Sequence, residues 1–141
     1  MNGSCLCGAV RFEADPAGAE AHACHCEMCR RWTGGPFFSV EVAPDALRIA
    51  EPAPIAVRQT SDWAERAWCG GCGSHLFYRL TVGPKAGWIY LSLGLLDDPS
   101  AVPFGGEIYI DSKPACYALA GEHPRKTRAE CEAEVAAAFD A

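Results

Sequence analysis

The sequence has no apolar run long enough to span a bilayer, so no membrane-spanning helix is predicted. Its first residues show no basic segment followed by an apolar one, so no secretory signal is predicted and we expect a cytoplasmic protein. Basic residues are few, since 12 Lys and Arg stand against 18 Asp and Glu, for a net charge of -6. A chain this acidic is a poor partner for nucleic acid or an anionic membrane, and we expect neither.

Repeats and low-complexity segments are also lacking. Half of the 141 residues are hydrophobic, which excludes a disordered chain and is enough to bury a core. We therefore expect a single domain over residues 1–141.

Short apolar stretches separated by Pro and Gly recur along the chain and predict a mainly β domain. Several of them alternate apolar and polar residues, as a half-buried strand does. The predicted strands are 10–13, 37–42, 47–50, 55–58, 76–80, 88–93 and 107–110.

Two helices are predicted beside the strands. Thr127 and Glu130 have the spacing of a capping box, which predicts a C-terminal helix over about 128–139. A shorter helix is predicted over 26–32, ended by Gly34. The residues expected to dock the C-terminal helix on the sheet are Ala129, Ala133, Val135, Ala136 and Phe139.

Nine cysteines are the most informative residues of the chain. Reduced thiols are the rule in the cytosol, so clustered cysteines indicate metal binding more than disulfides. A disulfide within a C-x-C pair is geometrically awkward. The three clusters are Cys5-x-Cys7-Gly8, Cys24-His25-Cys26-x-x-Cys29 and Cys69-x-x-Cys72-Gly73, with Cys116 and Cys131 outside them.

Seven clustered cysteines divide most economically into one site of four ligands and one of three. A four-cysteine zinc site is closed and structural, whereas a three-ligand site leaves a position for water or substrate. The spacing does not assign the clusters, because 26/29 with 69/72 would make an ordinary zinc-ribbon pairing. A redox role for Cys69 and Cys72 is a further interpretation.

At these residues the sequence resembles the glutathione-dependent formaldehyde-activating enzyme family. The matching motifs run in order from residue 3 to about residue 117. They are Gly3-Ser4-Cys5-Leu6-Cys7-Gly8, Cys24-His25-Cys26-x-x-Cys29-Arg30-Arg31, Arg66-x-x-Cys69-x-x-Cys72-Gly73-Ser74 and Ile108-Tyr109-Ile110-Asp111-Ser112-Lys113-Pro114.

The resemblance implies an Mss4-like zinc-binding β fold with short helical segments and a C-terminal helix. It implies two zinc ions per chain, and we expect the structural one to be retained more firmly than the catalytic one. The ligands that it implies are Cys5, Cys7, Cys69 and Cys72 for the structural zinc, and Cys24, Cys26 and Cys29 for the catalytic zinc.

The implied activity is that of a carbon–sulfur lyase, similar to S-(hydroxymethyl)glutathione synthase. Such an enzyme would join glutathione or a related small thiol to formaldehyde or a similar small aldehyde. The alternative is a non-catalytic zinc module of the same fold that binds a protein partner, since fold does not fix function.

Three further residues near the clusters are candidates for a role. His25 is predicted to be catalytic as a proton shuttle, although it could also support or replace a ligand, or only shape the turn. Arg30 is predicted to hold a carboxylate of the thiol, against a plain solvated helix face. Arg66 could orient a substrate, but a cross-strand pair with an acid is the expectation that we adopt.

Overall fold

Nine strands form one sheet in the computed structural model, which describes residues 1–140. The strand order is β4-β5-β6-β7-β3-β2-β8-β9, and β1 pairs with β2 outside this path. The predicted mainly β class is therefore confirmed, while Ala141 lies outside the described residues. The strands are β1 (Asn2–Ser4), β2 (Arg11–Cys24), β3 (Phe37–Ile49), β4 (Ile55–Gln59), β5 (Ala64–Cys69), β6 (His75–Leu80), β7 (Ile89–Ser92), β8 (Phe104–Ile108) and β9 (Arg125–Lys126).

The long strand β2 organises the part of the sheet that carries the cysteines. It pairs antiparallel with β1 and β3 and parallel with β8. Its last residue, Cys24, is registered with Phe37 on one side and with Ile108 on the other. The position of its thiol is therefore constrained, because the backbone of Cys24 is paired with both neighbouring strands.

The hydrophobic core is built from residues of β2, β3, β5, β6 and β7. Because successive strand residues point to opposite faces, one set from each strand can be buried together. Two of the clustered cysteines, Cys5 and Cys69, are packed into this core. The largest contributors are Val10, Phe12, Val40, Val42, Leu76, Phe77, Ile89 and Leu91.

Both predicted helices are present. The first, α1, spans Glu27–Thr33; the Cys26 side chain accepts a hydrogen bond from the amide of Cys29, and Gly34 ends the helix with a left-handed φ of 84°. The second, α2, spans Arg128–Asp140. Its capping box is confirmed, since the Thr127 amide donates to Glu130 Oε1 at 3.2 Å and the Glu130 amide donates to Thr127 Oγ1 at 3.3 Å. Neither helix in residues 1–140 has the length and apolarity that crossing a membrane requires.

The predicted docking face of α2 is wrong. Cys131 is the buried residue of this helix, whereas Val135 and Phe139 are more than half exposed. The reason is that α2 packs on the short 3-10 turn at 110–112 through its first turns, where the Arg128 amide donates to Asp111 Oδ1 at 2.9 Å. At the far end of the helix, Phe139 packs on Gly83 in the turn between β6 and β7, so α2 is held at separate points and not along a continuous apolar stripe.

Candidate metal and active site

Four cysteines from two distant turns form a closed cluster. Cys5 and Cys7 follow β1, Cys69 ends β5, and Cys72 lies in the turn before β6; their four sulfurs are all within 4.8 Å of one another. The Sγ atoms of Cys5 and Cys7 are 3.6 Å apart, and those of Cys7 and Cys69 are 3.8 Å apart. Four ligands with bonds of about 2.3 Å to zinc would be separated by about 3.8 Å in a tetrahedron. The cluster could therefore hold a metal ion.

Glycine allows both of these cysteine turns to close. Gly8 has a φ of 79° and Gly73 a φ of 78°, which is the left-handed region that other residues avoid. The amides of Val10 and Gly71 donate to the sulfurs of Cys5 and Cys69, at 3.3 and 3.4 Å. Backbone N–H groups directed at sulfur favour the charged thiolate, which is the form that binds metal.

Three further cysteines form a second cluster, which opens on a cavity. Cys24 ends β2, Cys26 caps α1 and Cys29 lies in the first turn of that helix, and their sulfurs are within 4.8 Å of one another. All three line a cavity of about 420 Å³, which the four-cysteine cluster does not line. The pairing of 26/29 with 69/72 that spacing left open does not occur. This cluster could also hold a metal ion, with the cavity beside it.

Five aromatic residues are part of the cavity wall. Burial raises the pKa of Tyr78 to about 12 and that of Tyr109 to about 12. Both phenols therefore stay protonated at neutral pH and can donate a hydrogen bond into the cavity. The aromatic residues of the wall are Phe37, Trp63, Tyr78, Tyr90 and Tyr109.

The C-terminal helix closes the cavity on another side. Arg128, Glu132 and Val135 of α2 are part of the lining. The guanidinium of Arg128 lies 5.2 Å from the ring centre of Tyr109, and Tyr109 itself has a left-handed φ of 55°. A non-glycine residue held in this region marks a backbone that its surroundings constrain, which is common at functional sites.

A buried arginine contacts the three-cysteine cluster. Arg66 is 3% exposed, and its Nη1 and Nη2 atoms lie 3.8 and 3.7 Å from Cys29 Sγ. Its guanidinium is 4.8 Å from the ring centres of both Trp32 and Tyr78. The predicted cross-strand acid is wrong, because the registered neighbours of Arg66 are Arg58 and Tyr78.

His25 turns away from the cluster into a buried network. Its Nε2 lies 2.7 Å from Glu107 Oε1, its Nδ1 lies 3.1 Å from the Tyr117 hydroxyl, and the residue is 1% exposed. An ionised Glu107 can only accept, so Nε2 carries the proton and a neutral ring accepts from Tyr117 at Nδ1. The His25 amide also donates to the carbonyl of Ile108 at 3.1 Å. These contacts fix the turn between Cys24 and Cys26.

Glu107 is the centre of that network. Its Oε2 is 2.6 Å from His123 Nε2 and accepts from Arg125 Nε at 3.0 Å, and the residue is 1% exposed. Burial would raise the pKa of Glu107, but the hydrogen bonds from His123 and His25 outweigh it and the pKa is lowered. A charged carboxylate with three donors is therefore built in behind the C-H-C turn.

Arg30 is not part of the cavity lining. It lies on α1, and its Nε is buried without a hydrogen-bond partner in residues 1–140. Neighbouring Arg31 is exposed. The catalytic role predicted for Arg30 stays a prediction.

Comparison with known proteins identifies the family. The family model described as glutathione-dependent formaldehyde-activating enzyme matches residues 1–112, a segment with all seven clustered cysteines. The chain belongs to the glutathione-dependent formaldehyde-activating enzyme family.

One relative of this chain is a Schizosaccharomyces pombe protein named as an uncharacterized lyase. It is 31% identical over 122 residues, which are 85% of each chain. A Halomonas elongata protein named "Putative glutathione-dependent formaldehyde-activating enzyme" is 32% identical over 85 residues, which are 55% of this chain and 54% of the relative. A crystal structure of a Rhodobacter sphaeroides protein aligns with a TM-score of 0.58 at 25% identity, covering 74% of this chain and 99% of that one.

Two residues at this family member's site were missed or misjudged from the sequence. Glu107 was given no role, although an acid within a predicted apolar strand is a signal, because a buried charge needs partners. Arg66 lies in Ala64–Cys69, a strand that the sequence did not predict. Arg66 points to the same face of the strand as buried Ala64, and half-buried Glu65 points to the other. This alternation could have predicted that Arg66 faces inward.

Proposed function

We propose that this protein is a zinc-dependent carbon–sulfur lyase that joins glutathione or a related thiol to formaldehyde or a similar small aldehyde. The observation that carries the proposal is that three thiols converge on the wall of a 420 Å³ cavity, while four others converge in a cluster outside it. Family membership and the names of the two relatives support the reaction class.

The donor sets suit zinc at both clusters. Thiolates are preferred zinc ligands, and four of them make a closed site while three leave one direction free. In this proposal Cys5, Cys7, Cys69 and Cys72 hold a structural ion, and Cys24, Cys26 and Cys29 hold a catalytic one. A zinc ion at the second site would supply Lewis acidity that lowers the pKa of a substrate thiol.

The addition itself is balanced by one proton. The sulfur of the thiol forms a bond to the aldehyde carbon, the carbonyl π electrons move to oxygen, and the proton lost from sulfur returns to that oxygen. The protonated phenols of Tyr78 and Tyr109 line the cavity and can donate hydrogen bonds to the oxygen as its charge grows. Water can carry that proton from sulfur to oxygen.

Residues behind the cluster keep its geometry in this proposal. His25 was predicted to be catalytic, but both of its ring nitrogens are engaged by Glu107 and Tyr117. We therefore assign it the role of a positioning residue, which holds Cys24 and Cys26 at a fixed separation. Such support for ligands is common in metal sites.

Charged groups at the cavity fit a zwitterionic thiol such as glutathione. Glu27 and Glu132 could accept from an ammonium group, and Arg128 could donate to a carboxylate. A reduced thiol pool, and hence a cytoplasmic location, would suit both the substrate and the ligands. The cavity also favours the enzyme over the alternative, a zinc module that binds a protein partner, because a module needs no cavity beside an open cluster.

Zinc-loaded protein tests the proposal directly. We expect two zinc ions per chain and faster formation of S-hydroxymethylglutathione from glutathione and formaldehyde than occurs without protein. Cys24→Ala should reduce the zinc content to one ion and abolish the excess rate. Cys116→Ala is the matched control, because Cys116 is exposed and outside both clusters, and it should change neither quantity. Two bound ions without any excess rate would refute the activity.

A further inference from the structure

Within residues 1–140, Arg66 is a buried cation that no carboxylate neutralises. The polar partner of its guanidinium in this part of the chain is Cys29 Sγ, which two of its nitrogens approach at 3.7 and 3.8 Å. The other neighbours of the guanidinium are the faces of Trp32 and Tyr78. A charge that is 97% removed from solvent is costly unless an opposite charge lies close to it.

The missing negative charge is available on the cysteines. Three thiolates around a divalent ion have a net charge of about -1. One arginine in contact with them brings the total to zero. The aromatic rings on both sides hold the guanidinium in place and keep water from it, which strengthens the interaction between the charges.

We propose that Arg66 is the resident counter-ion of the three-cysteine cluster and that its positive charge sets how strongly the cluster holds a divalent metal ion. Arg66 is a positioning residue in this sense, because it acts on the ion through Cys29. The inference deepens the proposed function and rests on the metal site assigned there.

The four-cysteine cluster provides a reference within the same molecule. Among the described residues, its hydrogen bonds come from backbone amides, from Ser74 and from its own thiols, with no arginine or lysine taking part. Loss of the Arg66 charge should therefore weaken one site and leave the other unchanged. A general loss of stability would weaken both.

Competition with a chromogenic chelator measures the zinc affinity of each site. We expect Arg66→Met to weaken the more labile zinc by about 10- to 100-fold, the range seen when a group supporting a ligand is removed. Arg66→Lys keeps the charge but loses the two-nitrogen contact and the aromatic stacking, so its zinc affinity should lie between those of the wild type and Arg66→Met. The tighter zinc should be unchanged in both variants. If Arg66→Met does not fold, Arg66→Gln provides the same neutral comparison.

Arg79→Met is the matched control. Arg79 lies on β6 of the same sheet, pairs with Glu65 and is not part of the cavity. Weakening of the labile zinc by Arg79→Met as large as that by Arg66→Met would overturn the inference. So would an Arg66→Met affinity within threefold of the wild type, or an Arg66→Lys affinity as weak as that of Arg66→Met. A wild-type protein that binds only one zinc ion would instead refute the proposed metal site, and the inference with it.

Discussion

Replacing Glu107 with Gln should cost this protein a large share of its stability. The carboxylate is 1% exposed and has donors at 2.7 Å (His25), 2.6 Å (His123) and 3.0 Å (Arg125). An amide of the same shape removes the charge and turns an NH₂ group toward one of these donors. Weakening three hydrogen bonds to a buried charge and leaving one donor unsatisfied costs about 3–5 kcal/mol in total.

Thermal unfolding in saturating zinc is the measurement. At this chain length each kcal/mol corresponds to roughly 3–4 °C, so the melting temperature should fall by about 10–20 °C. The more labile zinc should also be released more readily, because His25 lies between two of the proposed ligands. Zinc affinity at the other cluster should not change.

The same substitution at an exposed ion pair is the control. Glu13 pairs with Arg48 at 3.0 Å, but its side chain is 58% exposed. Such surface pairs contribute little to stability, so Glu13→Gln should lower the melting temperature by no more than a few degrees. If Glu107→Gln were no more destabilising than Glu13→Gln, the network would not have the role that its burial indicates.

Two further predictions concern the pH dependence of the Glu107 network and the packing around Gly3. Folding lowers the pKa of Glu107. The contribution of its charge to the free energy of unfolding is therefore complete above the ordinary pKa of 4.5 and is lost as the pH falls below that value. The difference in melting temperature between wild type and Glu107→Gln should therefore shrink from about pH 6 to about pH 3.5; a constant or growing difference would contradict this. Gly3→Ala should be strongly destabilising in chemical unfolding, because the new Cβ would lie 2.4 Å from the Phe12 ring and 2.5 Å from the Leu95 carbonyl oxygen. Gly94→Ala, with nothing within 4 Å, should cost little, and equal effects of the two would refute the packing argument.

Local sequence signals located the helices and part of most strands, but the strand predicted over 10–13 continues to Cys24, and those predicted over 37–42 and 47–50 are one strand. Alternation gave most of the strands, Gly34 gave the end of α1, and Thr127 with Glu130 gave the start of α2. These features depend on residues a few positions apart, and so a single stretch of sequence contains them.

Contacts between distant residues were beyond such signals. His25 and Glu107 are 82 residues apart, and Arg66 and Cys29 are 37 apart. The strand of Arg66 was missed because Glu65 and Arg66 interrupt its apolar pattern, although Arg66 is buried. Spacing also left the grouping of the cysteines open. The family resemblance implied the grouping that the structure has, but the ligand roles stay proposals.

The two clusters also differ in when they become complete during synthesis. Cys24, Cys26 and Cys29 lie within six consecutive residues, whereas Cys72 follows Cys29 by 43 residues. At a translation rate of about 5–20 residues per second, the fourth thiol of the closed cluster leaves the ribosome about 2–9 s after the three thiols of the open one. A nascent chain thus presents its three-thiol ligand set first. The site with fewer ligands is complete before the site with more.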